Sequence, residues 1–295
     1  MIVRRGLDLP RLVRHGGLPL LALLAYDVLV TLIYMVGNWT WISVPELPLP
    51  LLGSAIALIV TLRNNAGYNR WWEARGLWGA VVNNSRSLAR GLATFLEDPL
   101  LAASLVRHQI AYALALRCHL LRLPPWDDLA AYLPPETIAR LREVANVPFA
   151  IQMIIGRHIA EARRAGSLDA IGATALDRTL NDIANAQGGL ERIKNTPMPR
   201  QYDQFPQVFT RVYCLLLPIG LVNQLGYYTP VGSTVIGFMF IALDRIGQDL
   251  EDPFENRIHD LPMQAITRGI EIDLLQASGA TGVPSPVTPV DGILG

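Results

Sequence analysis

Histidines, carboxylates and cysteines are the residues from which most catalytic sites are built, and this sequence offers few in useful patterns. His158 and Glu161 stand at i, i+3, the spacing of half a di-iron carboxylate set on one helix face. Completing such a set takes a second pair at the same spacing and further glutamates from other helices, and neither is found. His108 and His119 fall eleven residues apart on one helix face, which suits packing or surface exposure equally well. Cys118 and Cys214 are isolated in apolar surroundings, so neither a disulfide framework nor a metal knuckle can be built from them. They read as small buried hydrophobes. No phosphate-binding glycine loop, nucleophile elbow or H-E-x-x-H pair occurs. The expectation is a protein that is no enzyme and carries no metal and no cofactor.

The physical chemistry that remains is passage through a membrane. Ser54, Leu58 and Leu62 lie four residues apart, and at roughly 100° per residue they share one helical stripe. Gly53, Ala55 and Ala57 flank it. A constriction of leucine side chains gates by dewetting and passes ions that are partly hydrated. One helix encloses nothing, whereas several copies around a symmetry axis do. The same stripe also fits ordinary helix packing, in which glycine and alanine permit close approach. Periodicity leaves both readings open.

The elements that must position this stripe follow from composition and hydropathy. Residues are 51% hydrophobic and 17% charged, against about 25% charged in an ordinary soluble domain. That balance fits a membrane protein with a substantial polar portion. The zero net charge argues against a nucleic-acid partner. The run from Leu18 to Val36 is long enough to span a bilayer, and Arg4, Arg5, Arg11, Arg14 and His15 precede it. It is too long for a signal peptide and no A-x-A site follows. Asp27, in its middle, is costly in lipid and must face protein or water. Trp39 and Trp41 in the following turn suit an interface.

A second run starts at Pro48 and Pro50, residues suited to a helix start. Its apolar part, Leu51 to Leu62, makes ~18 Å of helix. No proline then occurs through Arg86, so the spacing predicts one long helix or two closely joined ones. Residues 64–205 are polar with helical periodicity, broken at Pro99 and stopped by Pro124 and Pro125. Pro197, Pro199 and Pro206 mark a linker. A second hairpin follows, Val208 to Gly226 and Thr234 to Ile246, with Tyr227 and Tyr228 in its turn. Arginine flanks both hairpins at their open ends, which by the positive-inside rule makes both termini cytoplasmic.

The expected fold is therefore all-α, with four transmembrane helices in two hairpins and a cytoplasmic helical bundle. Its parts are a cytoplasmic N-terminal segment at 1–17 and a hairpin at 18–62 with helices near 18–36 and 49–62. A cytoplasmic region covers 63–207, a second hairpin 208–246 with helices near 208–226 and 234–246, and a cytoplasmic helical segment 247–275. The tail, 276–295, is extended, ordered only by docking on a neighbour.

The stretch RNNAGYNRWWEARGLWGAVVNNSR, Arg63 to Arg86, resembles the signature of the bacterial branch of the bestrophin ion-channel family. NTPMPRQYDQFPQVFTRVY (Asn195 to Tyr213) and LEDPFENRIHDLPM (Leu250 to Met263) resemble two further family motifs. The motif positions in the first are Arg63, Asn64, Asn65, Arg70, Trp71, Trp72, Glu73, Arg75 and Trp78. The resemblance implies a homopentamer with one ion path along its axis, a membrane neck and a wide cytoplasmic vestibule. Counting back from Arg70-Trp71-Trp72 puts the family's three neck positions on Ser54, Leu58 and Leu62, the same stripe. Where the family carries bulky apolar or aromatic side chains, this chain has serine outermost and no phenylalanine.

The resemblance also implies a second, cytoplasmic aperture, with Leu180 the first candidate and Leu176 the next. Animal members bind calcium through an acidic run after a P-F motif. Here Pro253-Phe254 is followed by Glu255, Asn256 and Arg257. Asp249, Glu251, Asp252 and Glu255 are a remnant, and no calcium gating is expected.

The function so implied is passive conduction of small monovalent ions in a bacterial inner membrane, with the lipid bilayer as surroundings. Chloride or other anions follow from the animal channels, sodium or other cations from some bacterial relatives. Glu73, Arg75, Asp182 and Glu191 are the vestibule charges that could decide between them. The alternative is a non-conducting membrane scaffold or regulatory partner.

Overall fold

The computed structural model describes residues 1, 9–44 and 47–295, with side chains omitted for 9–16. Arg4 and Arg5, and the side chains of Arg11, Arg14 and His15, lie outside the described residues. Ten α-helices occur among the described residues: α1 (Leu9–Met35), α2 (Leu49–Phe95), α3 (Pro99–Leu121), α4 (Trp126–Leu129), α5 (Pro135–Leu141), α6 (Val147–Ala165), α7 (Ala170–Asn195), α8 (Arg200–Leu225), α9 (Thr229–Glu251) and α10 (Met263–Ala277). No strand occurs among them, only an isolated antiparallel bridge between Val290 and Ile293. The chain divides into two compact units, a hairpin unit of 5–70 with 197–252, and a bundle unit of 1–4, 71–196 and 253–295.

In the hairpin unit α1 packs on α8 and α9, and α8 on α9. Glycine sets the approach of α2 to α8 and of α1 to α9. A Cβ on Gly53 would lie 2.6 Å from the Tyr213 hydroxyl oxygen, and one on Gly237 would lie 2.5 Å from Leu23. Small residues at such contacts are how helices associate in lipid, where burial of oil against oil gives no drive. Asp27 is fully buried, and its Oδ2 accepts a 2.7 Å hydrogen bond from the Thr234 hydroxyl on α9. The acid in the middle of the first apolar run thus binds a neighbouring helix. Short 3-10 turns join the helices of each hairpin, Thr40–Ile42 and Gly226–Tyr228.

Pro206 lies inside α8, where its sequence context suggests a linker, and Pro218 lies further along the same helix. Pro206 is close to the helix start, so its missing donor removes one bond near an end that is already short of partners. At Pro218 the freed carbonyl is tolerated because helices packed alongside can re-satisfy it.

The bundle unit is built on one hydrophobic core. α3 packs on α4, α6, α7 and α10, and α6 on α7. Asp98, Asn146 and Asp169 cap α3, α6 and α7 by accepting backbone N–H groups of their first turns. Helices long and apolar enough to cross a membrane are α1, α2, α3 and the stretch Arg200–Glu251 that holds α8 and α9. In α3, 67% of the apolar window is buried inside the unit, against 22% in α1. Its burial is that of a core helix. The tail lies on its own chain: the Ala265 N–H, in the first turn of α10, donates to the Gly295 carbonyl at 2.9 Å.

Candidate functional site

α2 carries the residues singled out by spacing. Pro50 sits in its first turn, and no later proline interrupts its 47 residues. Leu49, Gly53, Ile56, Val60, Arg63 and Gly67 form its buried face. The opposite face holds Leu51, Ser54, Leu58, Leu62 and Asn65, all exposed on this chain. Leu58 is 61% and Leu62 54% exposed, as are apolar residues such as Leu21 and Leu29 on α1 and Leu215 on α8. Ser54 turns its hydroxyl back to the Leu51 carbonyl at 2.8 Å, and Thr61 donates to Ala57 at 2.7 Å. Such back-bonding uses up the donor and leaves the stripe less polar than its residue types suggest.

Arg63 ends the apolar run and is only 1% exposed. A buried guanidinium is tolerated only when paired and hydrogen-bonded. Its Nη2 lies 2.5 Å from Asp203 Oδ1 on α8, and its Nη1 2.6 Å from Asp244 Oδ1 on α9. Glu251 stands at 3.7 Å. Next to it, the Asn64 amide donates to the Leu243 carbonyl at 2.9 Å. A Cβ on Gly67 would come within 3.3 Å of the Gly247 carbonyl oxygen. The start of the signature is thus a clamp holding α2 against α8 and α9, with the leucine stripe turned away from it. Sequence reasoning did not single out Asp203 and Asp244. The signal was available, since an arginine beside an apolar run needs acids from the neighbouring helix ends.

Later signature residues sit in the bundle unit. Trp78 is fully buried in its core, Trp71 is half-buried and Trp72 is 61% exposed. Glu73 pairs with Arg192 of α7, and Arg75 is exposed. Asn65 and Arg70 belong to the hairpin unit, the first exposed and the second half-buried. Asp182 is exposed on α7, whereas Glu191 accepts from Asn146 at 2.9 Å and Gln187 at 2.7 Å.

Leu180 and Leu176 were expected at an aperture, and the structure places both inside the bundle. Leu176 is 1% exposed and fills the space beside Gly91, where a Cβ would meet it at 2.8 Å. Leu180 is also buried, near Gly156. The open face of α7 presents Ile171, Asp177, Asn181 and Asn185 instead.

Three of the four acids of the remnant, Asp249, Glu251 and Glu255, face basic side chains. Lys194 donates to Glu255 at 2.7 Å, a bond that holds this carboxyl below the usual glutamate range. Asp260 accepts the Glu255 and Arg257 amides at 2.7 and 2.9 Å, and burial pushes its carboxyl upward. Asp249 lies 3.7 Å from Arg245. His158 and Glu161 face each other at 3.2 Å, and the His108 ring lies 6.1 Å from that of His158. Among the described residues no group of three or more His, Cys, Asp or Glu is placed to hold a metal ion.

Comparison with known proteins places these features in company. The profile of the family described as bacterial/fungal bestrophin protein matches residues 11–276. A protein of Escherichia coli O157:H7 named voltage-dependent anion channel-forming protein YneE is 39% identical over 262 residues, covering 88% of this chain and 86% of that one. The voltage-dependent anion channel-forming protein RSc3414 of Ralstonia nicotianae is 37% identical, covering 92% and 88%. The crystal structure of a bacterial bestrophin homologue from Klebsiella pneumoniae superposes with a TM-score of 0.85 at 33% identity, covering 89% of this chain and 98% of that one.

Proposed function

This chain belongs to the bacterial/fungal bestrophin family and is a multi-pass membrane protein, and we propose on that premise that it is a pentameric anion channel. Five copies of α2 would surround the axis, each turning Ser54, Leu58 and Leu62 inward as a neck that excludes bulk water while closed. The observation that carries this reading is the exposure of Leu58 and Leu62 on a helix whose other face is packed. Leucines open on a membrane helix face lipid or a neighbouring subunit, and closed ring symmetry would turn these two to the axis.

In the proposed topology α1 and the first part of α2 form one membrane hairpin, and α8 with α9 the other. The bundle unit lies in the cytoplasm with both termini, and the membrane is the bacterial inner membrane. The Arg63 clamp would hold the inner end of the neck at fixed radius. Leu176 and Leu180 are assigned no aperture role, because both side chains are used inside the bundle. Anions are preferred over cations because the relatives named above are called anion channel-forming.

The test is the reversal potential of purified protein in a planar bilayer under a NaCl gradient. A shift to the chloride Nernst potential supports the anion channel, and a shift to the sodium potential makes it a cation channel. No current from protein shown to be pentameric would instead indicate a scaffold.

A further inference from the structure

The bundle unit contains a cleft of about 400 Å³ that plays no part in the proposed conduction path. That volume lies within the usual range for small-molecule sites, roughly 300–1,000 Å³. Its walls come from the end of α3, the α3–α4 loop, the start of α6 and the end of α7. Leu120, Pro124, Trp126, Val144 and Val147 supply an apolar lining. Arg142 covers one face of the Trp126 indole at 4.8 Å and so fixes the ring.

Three polar groups converge on this lining. Lys194 is the only lysine among 25 basic residues, and its side chain is 11% exposed. Its ammonium donates to Glu255 Oε1 at 2.7 Å and to the Phe254 carbonyl at 3.3 Å, which leaves one of its three donors over. Glu191 is held by Asn146 and Gln187, with His119 at 3.5 Å. Arg122 has no ion pair or side-chain hydrogen bond among the described residues.

The backbone at Arg122 makes its side chain conspicuous. Arg122 ends α3 in the left-handed region, φ 56° and ψ 38°, with its N–H bonded to the carbonyls of Cys118 and His119. Glycine is the favoured residue in that conformation because it has no Cβ to clash. A residue that departs from the unstrained choice at the mouth of a cleft points to a use for its side chain.

We propose that this cleft binds a small organic monocarboxylate with an aromatic or branched aliphatic body. Arg122 takes the carboxylate as a bidentate partner, helped by the spare donor of Lys194, while the body lies against Trp126, Pro124 and Val147. The balance of charge allows a monoanion at most: Lys194 is paired with Glu255 and Arg122 has no ion-pair partner, while the neutral amides that hold Glu191 do not cancel its charge. A dianion such as phosphate would bring its second charge against Glu191. This site goes beyond the conduction reading, and binding is measured without current, so either can fail alone.

The experiment uses the full chain in lipid nanodiscs with 4-fluorophenylacetate as probe, followed by fluorine NMR titration. Saturable binding is expected. Arg122→Gly should weaken it roughly tenfold or more, since a charge-assisted bond is lost, while the variant melts no lower than wild type because glycine suits the backbone. Trp126→Leu should weaken binding by removing the stacked face. Chloride or phosphate at equal concentration should not displace the probe. The proposal is overturned by absence of saturable binding, by unchanged affinity in Arg122→Gly, by equal displacement with bare anions, or by a structure of the assembly in which a neighbouring subunit fills the cleft.

Discussion

The side-chain amide of Asn64 occupies the volume beside Gly247 that a methyl group would need. The amide nitrogen bonds the Leu243 carbonyl one turn earlier on α9, so it has no room to retreat without breaking that bond. Gly247→Ala should therefore destabilise the hairpin unit by about 1–3 kcal/mol, the usual cost of overpacking. Thermal unfolding in detergent checks this, and Gly269→Ala, where a Cβ would meet nothing within 4 Å, is the control.

Removing Arg63 should be more damaging. Arg63→Met leaves Asp203, Asp244 and Glu251 facing one another with their shared cation gone. Breaking a buried pair in this way costs about 3–5 kcal/mol. The triple change with Asp203→Asn and Asp244→Asn should recover part of the loss, and the yield of folded protein in membranes is the readout.

The leucine stripe should behave in the opposite way. Leu58→Ala with Leu62→Ala removes side chains that touch little of their own chain, so the melting temperature should stay within about 2 °C. Conductance or leak of the reconstituted protein should rise, because a wider neck stays wet. A melting loss comparable to that of Gly247→Ala, without any change in current, would make these leucines packing residues.

A pH dependence follows from His108, buried in α3 with Nδ1 at 2.8 Å from the Ser104 carbonyl. Burial lowers the folded pKa of this imidazole below its ordinary value of 6.5, and the nearby His158 lowers it further. Above pH 6.5 the ring is neutral in both states and its contribution is fully present. As pH falls below that value the unfolded chain takes up the proton first, so stability declines until the folded pKa is passed. His108→Phe should flatten this part of the melting-temperature profile between pH 7 and 5.

Much of the helical order was legible in the sequence because its punctuation is local. Pro50, Pro99 and the Pro124-Pro125 pair bound helices where a missing donor or a barred conformation requires it. The stripe of α2 was legible because a four-residue repeat of exposed apolar groups survives folding unchanged. Pro206 misled because it sits close enough to the start of α8 for its missing donor to cost little, which a proline-rich stretch does not reveal. The Arg63 clamp joins residues 140 and 181 positions apart, and no local pattern announces such partners. Leu180 and Leu176 were aperture candidates by resemblance alone, and the bundle of this chain buries both side chains.

The solitary lysine has a practical consequence. Within these 295 residues Lys194 is the one side chain that amine-directed reagents can acylate, and its ammonium is tied to Glu255. Crosslinkers that require two lysines can join subunits only from Lys194 to Lys194, so a failed ladder would say nothing about how many subunits are present. Counting them calls for carboxyl-directed chemistry or mass measurement. The same scarcity limits a reporter carried on a side-chain amine to one per subunit, at a lysine that is 11% exposed.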